Sequence, residues 1–278
     1  MYKNSIARLP IGVFDSGIGG LTVLAKLKKY LPNETFFYLG DTARVPYGTR
    51  SPETVIRYAR SCSHFLINRG IKILVIACNT ASSQALPMLE KEADIPILGV
   101  VEPGALSAVK TTKNKQVAVI GTEGTIASQS YVKHIKKIDP SINVISKACP
   151  LFVPLVEEGW TKGNIPFLVA KQYLQPIIDK GIDTLLLGCT HYPLLIPIIK
   201  KVIENKKIKI IDSAEETAKA VFEILQNHNM LNKNIHKKTN TILNFFVTDR
   251  PEKFKTIGSK FLREKIEHVE WIDIPILS

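Results

Sequence analysis

One comparison within the chain limits its fold more than any other feature. Arg69 to Thr80 reads RGIKILVIACNT, and Lys180 to His191 reads KGIDTLLLGCTH. Aligned without a gap, both run from a basic residue through glycine and isoleucine into an apolar strand. Each strand ends in a small residue, a cysteine and a polar pair, and each segment then enters a helical pattern. A supersecondary unit used twice implies two similar halves. The openings of the halves correspond more loosely, as GVFDSGIGG at Gly12–Gly20 and VAVIGTEGT at Val117–Thr125, each a strand followed by a loop of glycine and hydroxyl residues.

The remainder of the chain fits that plan. IGVF, TFFYLG, ILVIAC, ILGVV, VAVIG, INVIS, TLLLGC and IKIID have strand length and strand composition. Between them lie apolar positions at helical spacing, such as Leu21, Leu24, Leu27 and Leu31, or Val55, Tyr58, Cys62, Phe65 and Leu66. Ser51 before Pro52 and Glu53 marks a helix start, and Ser213 with Glu216 forms a capping box. Continuous apolar strands alternating with helices predict an α/β fold of two pseudo-symmetric domains, each a mostly parallel sheet flanked by helices. The expected boundaries are residues 1–100 plus 213–278 for the first domain and 101–212 for the second. The functional site is expected at their interface. A chain of 278 residues is long enough for two cores.

Composition excludes several classes. With 45% apolar and 22% charged residues the chain is ordinary globular material, and no apolar run approaches the ~20 residues that span a bilayer. The segment MYKNSIARLP is too polar for a secretory signal, so a cytoplasmic protein with no membrane partner is expected. Cys62, Cys78, Cys149 and Cys189 form no C-x-x-C pair, which favours reduced thiols and disfavours zinc. No metal is expected. The formal charge of +12 raises nucleic acid as a partner. The lysines are spread over helix faces and a late cluster (Lys200, Lys201, Lys206, Lys207 and Lys209, then Lys233, Lys237 and Lys238) without interleaved aromatics. A solvated basic surface is the better reading. Gly17-x-Gly19 has Thr22 where a dinucleotide fingerprint needs glycine, and no Walker A sequence occurs.

Open parallel sheets bind ligands beyond the carboxyl ends of their strands, where Cys78 and Cys189 both fall. A following helix N-terminus would stabilise thiolate there. A lone cysteine at a strand end is most often a small buried hydrophobe, and Cys62 and Cys149 read that way. The duplicated context sets Cys78 and Cys189 apart. Two thiols facing one cleft suit removal of a proton from carbon on one side and its return on the other. Asp15, ending the first strand, is placed to assist Cys78 or simply to cap a helix. His191, two residues after Cys189, is placed to do the same on the opposite side. Asn79, Thr80 and Thr190 offer donors to an anionic substrate, or N-caps.

The motifs FDSGIGG, DTARVPYG, ACNTAS, VPLVEEG and GCTHYP, in this order, resemble those of the glutamate racemase family, cofactor-independent enzymes that supply D-glutamate for bacterial cell-wall synthesis. The likeness runs from about Val13 to beyond Pro193. It implies that Cys78 takes the α-proton from D-glutamate and Cys189 from L-glutamate, assisted by Asp15 and His191 respectively. Glu157 matches an acidic residue that tunes proton transfer, with Glu158 adjacent as the alternative register. Asp15–Ser16, Tyr47–Gly48, Asn79–Thr80 and Thr190–His191 would contact substrate. The resemblance implies no cofactor and a homodimer. FVTDRPEKF resembles the family's last strand and helix, although Arg250 departs from the expected turn and receives no role. Some members carry an N-terminal extension tied to activation by a cell-wall precursor; with about nine residues before the first strand, no such activation is expected here. Two other readings stay open: a racemase of aspartate or a similar acid, and a non-catalytic role through the basic surface.

Overall fold

A computed structural model describes residues 6–204, 206–232 and 241–277. The chain runs β1 (Ile11–Asp15), α1 (Leu21–Tyr30), β2 (Thr35–Gly40), α2 (Pro52–Ile67), β3 (Ile73–Ile76), α3 (Asn79–Glu92) and β4 (Ile97–Gly99). It continues through α4 (Val101–Thr111), β5 (Gln116–Gly121), α5 (Glu123–Ala127), α6 (Ser130–Ile138), β6 (Asn143–Ala148), α7 (Phe152–Glu157), α8 (Asn164–Ile178) and β7 (Thr184–Gly188). It closes with α9 (Ile196–Ile203), β8 (Lys209–Asp212), α10 (Ser213–Asn227), β9 (Ile242–Val247), α11 (Pro251–Leu262) and β10 (Glu270–Trp271).

The strands form two sheets, in the orders β10-β9-β2-β1-β3-β4 and β6-β5-β7-β8. Every pairing among the described residues is parallel. The sequence repeat is therefore a repeat of topology: β2-β1-β3-β4 and β6-β5-β7-β8 place equivalent strands in equivalent positions. The two glycines of the repeat explain part of its conservation of pattern within the chain. Gly70 and Gly181 both take left-handed backbone, with φ of 74° and 75°, as they turn from α2 and α8 toward the next strand. A Cβ is strained in that region, so glycine serves both turns.

Packing joins the halves. One apolar core holds Ile11, Val13 and Leu24 from the first half with Ile120, Leu185 and Leu187 from the second, while each sheet keeps a separate core on its other face. Helix α10 lies against both α1 and α4, so it touches the two halves at once.

Two local expectations need adjustment. Ser51 caps α2 as anticipated, its Oγ accepting from the Thr54 N–H. At α10, however, Ser213 is already helical. Asp212, still extended as it leaves β8, is the cap and accepts from the Ala214 N–H at 3.0 Å. Glu216 pairs with Lys219 instead of closing a capping box. The ILGVV run is a strand only to Gly99, because Val100 is helical and Pro103 fits the first turn of α4, where no N–H is needed. Lys200, Lys201, Lys206, Lys207 and Lys209 are exposed, whereas Lys233, Lys237 and Lys238 lie outside the described residues. No helix among the described residues is long and apolar enough to cross a membrane.

Candidate active site

The register of each sheet decides which side chains leave it together. Phe14 lies opposite Ile76, and the Ala77 N–H donates to the Phe14 carbonyl at 2.8 Å, so β1 and β3 end level and release Asp15 and Cys78 side by side. In the second sheet Gly121 lies opposite Gly188, and Cys189 follows. The two sets of strand ends meet. Thr190 Oγ1 donates to Asp15 Oδ1 at 3.5 Å, and Thr22 Oγ1 reaches the Thr190 carbonyl at 3.2 Å. Gly19 lies so close that an added Cβ would stand 2.2 Å from Thr190 Oγ1 and 2.5 Å from His191 Nδ1. On the other flank Thr80 Oγ1 is 2.9 Å from Thr122 Oγ1 and 3.2 Å from Thr125 Oγ1, and the Tyr131 hydroxyl donates to Asn79 Oδ1 at 2.6 Å.

Asp15, Ser16, Tyr47, Gly48, Cys78, Asn79, Thr80, Cys189, Thr190 and His191 are all buried. Cys78 is 5% exposed, Cys189 7% and His191 3%. Cys78 caps α3, its sulfur accepting from the Ala81 N–H at 3.5 Å, and its thiol donates to Ser16 Oγ at 3.4 Å. Burial and then the negative charge of Asp15 nonetheless push this thiol up to about 12; the bonds from Ser16 and Ala81 offset only part of the effect, and Cys189 adds to it. The helix terminus by itself does not make Cys78 acidic. Asp15 takes the Gly17 N–H on Oδ2 at 3.0 Å, and burial raises its carboxyl despite the opposing pull of His191.

Cys189 differs from its counterpart. No α-helix follows it directly; residues Tyr192–Leu195 form a single tight helical turn, and α9 begins at Ile196. The expected helix-end stabilisation is replaced by His191, whose Nδ1 lies 3.9 Å from the Cys189 sulfur. Burial alone would lower the imidazole, but its contacts with Cys189 and Glu157 outweigh that and push it up to about 10. Glu157 Oε1 stands 3.3 Å from His191 Nε2, an ion-pair distance without the alignment of a hydrogen bond. Contact with His191 holds the Glu157 carboxyl below its ordinary range. Of the two adjacent glutamates, Glu157 makes this contact, and Glu158 is exposed.

Tyr47 and Gly48 are held by contacts within the protein. The Tyr47 side chain is buried, and its hydroxyl commits its one proton to Asp41 Oδ2 at 2.5 Å. Gly48 packs on Thr122, where a Cβ would stand 2.6 Å from the Thr122 Cβ. The sequence reading also passed over Thr122, Thr125 and Tyr131, which meet Asn79 and Thr80 from the second half. Their signal was the correspondence of GTEGT with DSGIGG. Among the described residues at the seam, Asn79 Nδ2 is buried and, like His191 Nε2, makes no hydrogen bond within the protein. Beside the cluster a cavity of about 280 Å³ opens between Gly17, Val45, Glu157, Arg250 and Lys253. Arg250, which received no role, begins α11 in left-handed conformation on the rim of this cavity.

An enclosed set of thiols, carboxylates and an imidazole, where two like parallel sheets abut, is the architecture of an α/β acid–base enzyme. The sequence matches the Asp/Glu/Hydantoin racemase family over residues 11–221, and the chain belongs to that family. Curated relatives include glutamate racemases of Geobacter metallireducens (50% identical; 95% of this chain and 96% of the relative) and Syntrophus aciditrophicus (44%; 99% and 100%). Among solved structures, glutamate racemase from Francisella tularensis in complex with D-glutamate superimposes with a TM-score of 0.89 at 40% identity, over 96% of this chain and 98% of that one. The Bacillus anthracis isoform RacE1 gives 0.91 at 41%, over 97% and 99%. The protein is an amino-acid racemase, an isomerase.

Proposed function

We propose that the protein interconverts L- and D-glutamate without a cofactor, by proton transfer between two thiols on opposite faces of the α-carbon. Cys78 takes the α-proton from D-glutamate and Cys189 takes it from L-glutamate. In either direction the thiolate accepts a proton from carbon, the electron pair stays on the α-carbon, and the opposite thiol protonates the other face. Asp15 assists Cys78, His191 assists Cys189, and Glu157 tunes His191. Asp15–Ser16, Tyr47–Gly48, Asn79–Thr80 and Thr190–His191 contact substrate. The wider reading is a cytoplasmic homodimer that supplies D-glutamate for peptidoglycan synthesis, built from units of residues 1–100 plus 213–278 and 101–212.

The observation that carries this reading is the convergence of the duplicated strand ends, Asp15 against Thr190 across the seam with a thiol on each side. The relatives named above supply the substrate class. The chemistry is demanding, because the α-proton lies beside a carboxylate and an ordinary thiol with pKa ~8.5 is only slightly ionised at neutral pH. Burial and the Asp15 charge put Cys78 further still from ionisation. An arriving substrate brings an ammonium group, and a positive charge beside the sulfur favours thiolate. The unpaired Asn79 amide gives a donor for a substrate carboxylate, in a buried position where such a donor acts strongly.

Purified protein incubated with L-glutamate in deuterated water, with nothing added, tests the proposal. Circular dichroism decays to zero and deuterium enters the α-carbon. A persistent signal refutes the function. L-aspartate run in parallel separates the two acidic substrates.

A further inference from the structure

The segment between β2 and α2 holds a buried carboxylate that the proton-transfer scheme does not use. Asp41 is fully buried, one residue beyond the end of β2. Its N–H donates to the Asp15 carbonyl at 3.0 Å. Its Oδ2 accepts from the Tyr47 hydroxyl at 2.5 Å, and its Oδ1 accepts from Thr248 Oγ1 at 2.8 Å. The Arg44 guanidinium lies 3.3 Å from both oxygens, bonds onward to the Ile274 carbonyl and covers the Tyr58 ring. Thr248 Oγ1 in turn accepts from the Ala43 N–H at 2.9 Å. Through its N–H and its carboxylate, Asp41 thus ties together the end of β1, the 41–48 segment and the end of β9, and through Arg44 it reaches Ile274.

Charge is costly to bury unless it is paired and fully bonded, and packing alone would be served by an apolar side chain. What the ties fix is therefore informative. They converge on Tyr47–Gly48, and Gly48 is pressed against Thr122, which bonds Thr80 across the seam. Burial, with the neighbouring Cys62 thiol and the Asp41 carboxylate, keeps the Tyr47 phenol protonated, so it remains a donor to Asp41 throughout the working range.

We infer that Asp41 is a positioning residue for racemisation: through Tyr47, Arg44 and Thr248 it holds the Tyr47–Gly48 turn in the place from which that turn contacts substrate. The inference rests on the substrate reading of that turn given above. Asp41 touches no reacting atom in this scheme. Loosening it costs substrate binding before it costs proton transfer.

Steady-state kinetics with L-glutamate on Asp41→Asn, Thr248→Val and Thr248→Ser, alongside thermal unfolding, tests this. Asparagine keeps the size but replaces one acceptor with a donor, whereas valine removes only the hydroxyl that links Asp41 to β9. Loss of a charged hydrogen-bond acceptor predicts a KM raised ~10-fold in Asp41→Asn and ~3-fold in Thr248→Val, with kcat within ~3-fold of wild type in both. Thr248→Ser, which keeps the hydroxyl, restores the wild-type KM. An unchanged KM in Thr248→Val, or a loss confined to kcat, overturns the inference and leaves Asp41 a structural anchor. If Asp41→Asn does not fold, the Thr248 pair decides alone. A wild-type protein that fails to racemise glutamate refutes the substrate reading instead, a result distinct from any of these.

Discussion

Cys78 and Cys189 end matching strands of matching sheets, yet their surroundings differ in sign. The Cys78 corner is negative: Asp15 lies beside it, the sulfur caps a helix, and the thiol is pushed up to about 12. The Cys189 corner is positive: no helix follows directly, and His191, pushed up to about 10, stands next to the sulfur with Glu157 behind it. Duplication conserved the backbone plan, and divergence after the cysteine assigned each copy a different partner. In the proposed scheme each thiol donates in one direction and accepts in the other, so each corner serves as both acid and base.

The strongest way to break the comparison is to remove either sulfur. Cys78→Ser and Cys189→Ser each lose ~10³-fold or more in kcat/KM, since an alkoxyl is a far poorer base and general acid–base groups contribute on this scale. Wild-type turnover by either variant contradicts a two-thiol site. Next come the partners. Enantiomers have equal free energy, so any variant must lose kcat/KM equally in both directions; asymmetry can appear in kcat and KM taken separately and in which proton transfer limits the rate. His191→Asn is expected to lose ~10²-fold and to raise the primary isotope effect with α-deuterated L-glutamate above that with the D-enantiomer. Asp15→Asn should reverse that order. Equal isotope effects in both variants would mean that the corners are not specialised.

A smaller effect follows from Glu157. The His191 pKa is raised above its ordinary 6.5, so its contribution to stability is complete below pH 6.5 and is lost as pH rises through about 10. Glu157 is held below its ordinary 4.5, so its contribution is present above pH 4.5 and is lost as pH falls through its folded value. Chemical denaturation of wild type and Glu157→Gln should therefore differ most between pH 4.5 and 6.5 and converge toward pH 10. A constant gap removes the ion pair from the account. Smallest is Ser16→Ala, which deletes the hydroxyl 3.4 Å from Cys78 Sγ that can turn to donate to the thiolate, and should lower kcat ~3-fold by raising that thiol further.

Much of this arrangement could be read in the chain. The apolar runs gave the strands, and the gapless RGI…CNT and KGI…CTH alignment gave the common topology. The level ends of β1 and β3 followed from expecting a wound sheet. Other features needed coordinates. Asp212 and Ser213 can both cap a helix, and only the extended backbone of Asp212 decides between them. The tyrosine of DTARVPYG suggested a ligand contact; that its hydroxyl donates to Asp41, six residues earlier in the chain, was not legible there. Thr122, Thr125 and Tyr131 reach Asn79 and Thr80 across separations of more than forty residues, beyond what periodicity records. The difference between the cysteine corners was equally hidden. GCTHYP signals a histidine near a thiol, but a proline-containing turn in place of a full helix appears only in the structure.

The most direct measurement is the isotopic composition of both enantiomers early in the reaction. L-Glutamate is turned over in deuterated water to a few per cent conversion, and the recovered L- and D-glutamate are analysed separately. With one thiol on each face, D-glutamate carries α-deuterium while the remaining L-glutamate is still protiated, because its proton leaves to one sulfur and the replacement arrives from the other. If the two pools carry comparable deuterium from the outset, a single base serves both faces, and the pairing of Cys78 with Cys189 is wrong.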